Sequence, residues 1–362
     1  MSPLAQIWLI ARMEIRRAFF SRRALWVYLL ALFPAVLFLG HGLSIELKLK
    51  SWTAKGITPA PVLDSFATGQ TAEEVLALAP NPISKARWEH RPRNRNRAQE
   101  TKDQPQSHGR TTYFDGRREV TLLFQDDRIK SIHRNTLREF EEDRRIYAGV
   151  FQYFYLRLAI FFGCLGIFIN LFRGELLDKS LHYWFLAPVR RDVLLMGKYS
   201  AGLIASSVIF CSGALLSFIA LVAFQDVAER QAYLQVDGWS HAFWYIAAAA
   251  LGCVGYGSVF LVSGLILRNP IVPAVVILLW ESINGFLPDV LQKLSVLHYL
   301  QSICPVPAPM DNNIPPVMRM LLAPSAPSET WVAVGGLLAL TAAILWVATR
   351  AVRRLEVNYG TE

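Results

Sequence analysis

Ionisable and amide side chains inside apolar runs are the first candidates for chemistry. Arg157 stands in FQYFYLRLAIFF, and Glu281 with Asn284 stands in VVILLWESINGF. A charge at the centre of a hydrocarbon layer costs about 2.5–3.5 kcal/mol on insertion scales, so such a residue faces protein or water and is a functional-site candidate by default. Counting about 1.5 Å per residue along a helix puts Glu281 near mid-depth and Arg157 slightly further out, close enough to pair. Two blander readings stand beside this one: Arg157 can snorkel outward, and Glu281 can be a neutral carboxyl satisfied by a neighbouring helix. A second concentration of polar groups is FRGELLDKSLHYWFLAPVRRDVLLMGKY, residues 172–199, a charged, Pro-punctuated connector between two long apolar runs. Its Arg173, Lys179, Arg190, Arg191 and Lys198 place it on the cytoplasmic side of a membrane, while Tyr183, Trp184, Phe185 and Leu186 offer an apolar face. Gly197-Lys198 is not a phosphate loop, because Tyr199 follows it and Asp192 occupies the place of the leading Gly. There is no G-x-S-x-G or H-E-x-x-H, and the seven histidines show no metal-ligand spacing, so neither enzymatic catalysis nor a metal site is expected.

The elements that must position these residues are membrane helices. The chain has 362 residues, of which 53% are apolar, with a mean hydropathy of +0.30, and the apolar residues lie in blocks. Crossing about 30 Å of hydrocarbon takes roughly 20 apolar residues, and six segments qualify: 24–43, 153–172, 200–224, 242–267, 270–290 and 331–349. The first is read as a retained anchor, since SIELKLK after it offers no small-x-small cleavage site. The net charge of +9 flanks these spans or falls in one hydrophilic segment, so topology explains it and nucleic acid is not an expected partner. Cys164, Cys211 and Cys253 fall inside spans and read as small apolar residues. Ala249, Cys253 and Gly257, with Gly252 and Gly255, form a small-residue face suited to helix packing.

Ahead of the first span, Leu4, Trp8, Ala11, Ile15 and Phe19 recur at helical spacing, with Arg12, Glu14, Arg16 and Arg17 on other faces, so residues 1–23 are expected to form an amphipathic helix at the cytoplasmic interface. Residues 44–152 are expected outside, with a mobile insert over 81–110, a hairpin of 119–124 and 128–133 about Gln125-Asp126-Asp127, and an amphipathic helix over 136–150. After the fifth span, residues 287–299 re-enter or lie on the outer leaflet, and the final Arg350, Arg353 and Arg354 hold the last end inside. The expected fold is therefore all-α membrane: six transmembrane helices, an N-terminal interfacial elbow helix and a small α+β extracytoplasmic insertion.

The connector also carries a resemblance. Glu175, Ser180, the apolar residues 181–186, Pro188, Arg190 with Arg191, the apolar turn 193–196, and Gly197 with Lys198 follow the usual form of the coupling segment in type-two ABC exporter permeases, the ABC-2 type transporter family. The arrangement of nearly the whole chain resembles that family, although Ser180 stands where Thr is frequent and the outer segment is long. The resemblance implies ATPase coupling through Glu14, Glu175, Ser180, Pro188, Arg190, Arg191 and Lys198, and a translocation pathway that includes Arg157, Glu281 and Asn284. It implies no cofactor in this chain, with ATP and Mg on a separate cytoplasmic ABC ATPase subunit. The other partners it implies are a second permease subunit, in a homo- or heterodimer, and membrane lipid. The setting would be a bacterial plasma membrane with both termini cytoplasmic. Two competing functions are a mechanotransmission or assembly subunit acting on an extracytoplasmic partner through 44–152, and an intramembrane enzyme using Glu281 and His298. The lack of a second clustered acid counts against the enzyme.

Overall fold

A computed structural model describes residues 2–20, 24–90, 106–177, 189–267, 271–284, 287–307 and 328–353. The chain forms two compact units, one of residues 1–39 with 141–362 and one of residues 40–140.

The first unit is helical. It contains α1 (Pro3–Phe20), the start of α2 (Ala24–Lys55), α5 (Phe140–Gly149), α6 (Ile160–Leu177), α7 (Arg191–Ala223), α8 (Val227–Tyr233) and α9 (Trp239–Ile266). Its later helices are α10 (Ile271–Ser282), α11 (Asp289–Gln292), α12 (Val296–Ile303) and α13 (Thr330–Arg353). Among the described residues, five helical stretches are long and apolar enough to cross a membrane: Ala24–Lys55, Phe140–Ile169, Arg191–Ala223, Val227–Ile266 and Thr330–Arg353. The chain is an all-α membrane protein in this coarse sense.

The expected fifth span over 270–290 is corrected: α10 has 12 residues and ends at Ser282. At 1.5 Å per residue it reaches about 18 Å, short of the roughly 30 Å of a hydrocarbon core. The cause is in the sequence, where Gly285 and Pro288 follow closely and disfavour a continuing helix. The chain then makes two short helices, α11 and α12, in place of one amphipathic segment. The tight turn expected at Arg268-Asn269 lies outside the described residues.

The amphipathic helix expected to lead into the second span does so without a break, from Phe140. Between α5 and α6 the stretch Val150–Ala159 is wound with the wider π spacing. It buries Phe151, Gln152, Tyr155 and Leu156. The Tyr155 hydroxyl donates to the Phe210 carbonyl of α7 at 2.6 Å, and Tyr147 meets Ser217 at 3.1 Å. The small-residue face of α9 packs as expected: a Cβ on Gly257 would stand 2.5 Å from the Phe168 ring of α6, and one on Gly264 3.0 Å from the Ile169 Cα. Only glycine admits that approach.

Residues 40–140 form an α+β unit. Four antiparallel strands, β1 (Ser84–His90), β2 (Gln106–Phe114), β3 (Arg118–Gln125) and β4 (Arg128–Thr136), pair in chain order. The β3–β4 hairpin is the one expected. Asp126 and Asp127 take φ of 51° and 61°, as a two-residue type I′ turn requires of both central residues. The strands β1 and β2 correct the expectation of a mobile insert over 81–110. The rest of that insert, residues 91–105, lies outside the described residues. One sheet face buries Tyr113, Val120, Leu122 and Phe124 against Leu63, Phe66, Val75 and Ala79 from α3 (Ala60–Asp64), α4 (Ala72–Leu78) and their flanks. A reciprocal Thr71–Glu74 capping box starts α4. Burial pushes the Tyr113 hydroxyl up to about 12, and it donates to the Ala79 carbonyl at 3.2 Å.

Asp115 clamps the turn between β2 and β3. Its Oδ1 accepts from the Arg117 and Arg118 backbone N–H groups at 2.8 and 2.6 Å, and its Oδ2 accepts from Arg118 Nε at 2.9 Å. Burial pushes this carboxyl up, but the hydrogen bonds from Arg118 and Arg117 together outweigh burial and hold it below its ordinary value of 3.8. A depressed carboxylate adds stability above its unfolded value and loses it as pH falls through the folded value. Asp115→Asn is therefore expected to destabilise the unit by about 1–3 kcal/mol at neutral pH. The gap should narrow below about pH 4, where the wild-type carboxyl protonates too. Hydrogen exchange over residues 106–136, corrected for intrinsic rates, measures both; a gap independent of pH would remove Asp115 from the acid response.

Candidate functional site

Two polar constellations lie in the helical unit. The first begins with α1, whose buried face is Ile10, Ala11 and Glu14, with Leu4, Trp8, Leu9 and Met13 exposed. Of the stripe read from the sequence Ala11 is buried while Leu4 and Trp8 are exposed, and Ile7 and Ile10 sit against Val189, Val193 and Leu194 at the start of α7. A Cβ on Gly197 would come within 2.8 Å of Ile10, so α1 lies directly on the α7 backbone there. That approach excludes water from the next residue, Lys198, which is fully buried.

The Lys198 ammonium donates to Glu14 Oε1 at 3.1 Å and to the Leu171 carbonyl of α6 at 2.9 Å. Its side chain is 0% exposed and that of Glu14 is 6% exposed. This corrects the reading of Glu14 and Lys198 as parts of an exposed coupling surface: they are an internal ion pair that ties α1, α6 and α7 together. Burying two charges is costly, and the pair is stable only because each satisfies the other and the remaining donors find acceptors.

The same end of α7 also holds α13. Arg191 Nη1 donates to the Arg353 carbonyl at 3.0 Å and the Val352 carbonyl at 3.4 Å, capping the last turn of α13. Asp192 accepts from Arg353 Nε and Nη2 at 2.8 and 2.7 Å. That pair is solvent-accessible and screened, so it holds α13 only weakly. Arg190 points outward, its side chain 75% exposed, with one contact to Asp192 at 3.3 Å. Among the described residues expected on the coupling surface, Arg190 is exposed and Arg191 is turned to helix capping. Ser180 and Pro188, with the apolar residues 181–186, lie outside the described residues. Glu175 belongs to α6. Asp192 was not singled out from the sequence, where it reads as one more charge in a basic connector.

The second constellation centres on Glu281 at the end of α10, which is 4% exposed. Its carboxylate accepts from the Ser295 hydroxyl, from the Val296 N–H at 3.1 Å and from the Leu297 N–H at 3.3 Å. Ser295 in turn N-caps α12 by accepting from the His298 N–H at 3.1 Å. Glu281 therefore holds the positive end of α12, where unsatisfied N–H groups and the helix dipole favour an anion. Among the described residues no ion pair joins Glu281 and Arg157, although Arg157 stands within electrostatic range. The expected pairing is thus replaced by a helix-terminus clasp. Asn284 is 6% exposed, and its Oδ1 has no hydrogen-bond partner. The signal the sequence held for the clasp was Ser295 itself, a cap residue ahead of an apolar run.

No family model, no curated protein and no solved structure matches the chain.

Removing one partner of the α1–α7 pair strands a buried charge, so Lys198→Met and Glu14→Leu alone are each expected to cost about 3–5 kcal/mol. The double variant should recover most of that loss, because both charges go together. Thermal unfolding of the detergent-solubilised chain measures the cycle; additive losses would show that the two side chains do not act as a pair.

Proposed function

We propose that this chain is the membrane-spanning permease subunit of an ATP-driven export complex of the ABC-2 type. In this reading it couples hydrolysis on a separate ATPase subunit to movement of a substrate across the membrane. The observation that carries the reading is the arrangement of Lys198 with Glu14 and the Leu171 carbonyl. The connector 178–190 leaves from α6 and returns into α7, and the elbow helix α1 lies on the same junction. A load applied to the connector is then delivered to three helices held as one body and cannot be lost in their relative sliding. Arg190 is the exposed cation at the mouth of that connector, suited to an acidic surface on an ATPase. The helices beyond the junction are the lever that biases a two-state membrane pathway. A second permease subunit would complete the pathway, with Arg157, Glu281 and Asn284 on its inner side.

The folded unit of residues 40–140 supports a second reading, a mechanotransmission or assembly subunit whose lever acts on an extracytoplasmic partner through that unit. Substrate flux that survives replacement of residues 57–136 by a short linker would favour transport, and flux abolished with the ATPase still stimulated would favour the second reading.

For the coupling role, Arg190→Glu is expected to leave the chain's own stability within about 0.5 kcal/mol, as for an exposed side chain. It should lower stimulation of the copurified ATPase several-fold. Arg190→Lys should retain most of it. Equal stimulation by wild type and Arg190→Glu would sink the assignment of this surface.

A further inference from the structure

The geometry points to Glu281 as an internal proton-binding site that clasps or frees the N-terminal turn of α12. This inference concerns the chain alone and does not rest on the transport reading.

Glu281 is buried at the end of a half-length helix, and its charge is compensated by two backbone N–H groups, one hydroxyl and the dipole of an eight-residue helix, without an ion pair among the described residues. Neutral donors hold a carboxylate without cancelling its charge, and in a dry interior protonation removes the cost of burying that charge. Of the buried polar atoms without a hydrogen-bond partner in the helical unit, two bear on this site. The Tyr256 hydroxyl of α9, on a residue with no exposed surface, has no hydrogen-bond partner and lies within electrostatic range of both Glu281 and Arg157. The adjacent Gly255 packs on Val296, whose N–H bonds Glu281, so this part of α9 is at the clasp. Asn284 Oδ1 is a buried acceptor without a donor, three residues beyond Glu281. Buried polar atoms left unsatisfied mark a place where a proton or a water has yet to be counted. The other groups around the carboxylate are Arg157 from the π-wound stretch, and His298 of α12, whose Nε2 is 3.2 Å from Ser328 Oγ. Cys164 of α6 shares the surroundings of Tyr256.

The site works by simple exchange. Ionised Glu281 accepts from Ser295, Val296 and Leu297 and holds α12. Adding one proton to the carboxylate turns one oxygen into a donor, removes the charge that the α12 dipole favours and loosens the first turn of that helix.

The test uses the full chain in detergent, with protons as the ligand. Infrared difference spectra recorded from about pH 8 to about pH 5, below which surface carboxylates begin to dominate, should show a carboxylic-acid C=O band. That band should be lost in Glu281→Gln and shifted in frequency in Tyr256→Phe. It should persist in Ser295→Ala, which keeps the carboxyl and serves if Glu281→Gln fails to fold. Exchange of the Val296 and Leu297 amides, corrected for intrinsic rates, should speed up several-fold on acidification in the wild type and not in Glu281→Gln. A band unchanged by Glu281→Gln and Tyr256→Phe, or amide exchange with the same pH response in wild type and Glu281→Gln, would overturn the proposal.

Discussion

The ammonium of Lys198 is held out of water by three helices, and the junction of α1, α6 and α7 depends on how its charge is satisfied. Gly197 supplies the close approach of α1 that makes the burial possible, Glu14 supplies the counter-charge, and Leu171 lends a carbonyl. None of these works alone. Without the glycine, α1 would stand off and admit water; without the carboxylate, the buried cation would cost several kcal/mol. About two turns earlier on α7, Arg191 and Asp192 fasten α13 by the softer means of carbonyl capping and an accessible ion pair. The start of α7 is consequently a junction of graded strength, rigid toward α1 and α6 and looser toward α13.

Glu281 shows the same economy in another place. A carboxylate that could have paired with Arg157 is used to close the exposed N–H groups of α12, so that two half-length helices are joined end to end inside the bundle. Broken helices inside a membrane protein need their freed backbone groups satisfied by protein, and here one side chain and one N-cap serine do so. The arrangement ties the positions of α10, α11 and α12 to the charge on a single group.

Much of this was legible in the sequence, and the failures have physical causes. Long apolar blocks located four of the spans closely and the start of α2, because hydrocarbon thickness leaves little freedom. Asp126-Asp127 announced its hairpin, since few residue pairs tolerate two positive φ angles. The fifth span was read as longer than α10 because hydropathy registers Leu287 and Val290 without registering that the helix ends at Ser282. Both Glu14 and Lys198 were noticed, yet as surface residues, since a charge run normally is a solvated face. That they meet across 184 positions is set by tertiary packing and has no local signature. Periodicity in α1 marked Leu4, Trp8 and Ala11 and did not mark Ile7 and Ile10, which pack on the start of α7, because Leu9 and Met13 spread apolar residues around the helix. Strands β1 and β2 were hidden because the window was read by its Pro, Asn, Gln and charged residues, and β2 carries Tyr113 and Phe114 only at its end.

The central claim is that α1 and α7 move as one body. Spin labels at Leu4 and Val208, which are 77% and 53% exposed, report their separation without touching the junction. Pulsed dipolar spectroscopy on the chain, alone and with the ATPase proposed as its partner, with and without ATP, should give one narrow distance that does not change among these states. A distance that broadens or shifts when ATP is added would show α1 sliding on α7, and would contradict the account.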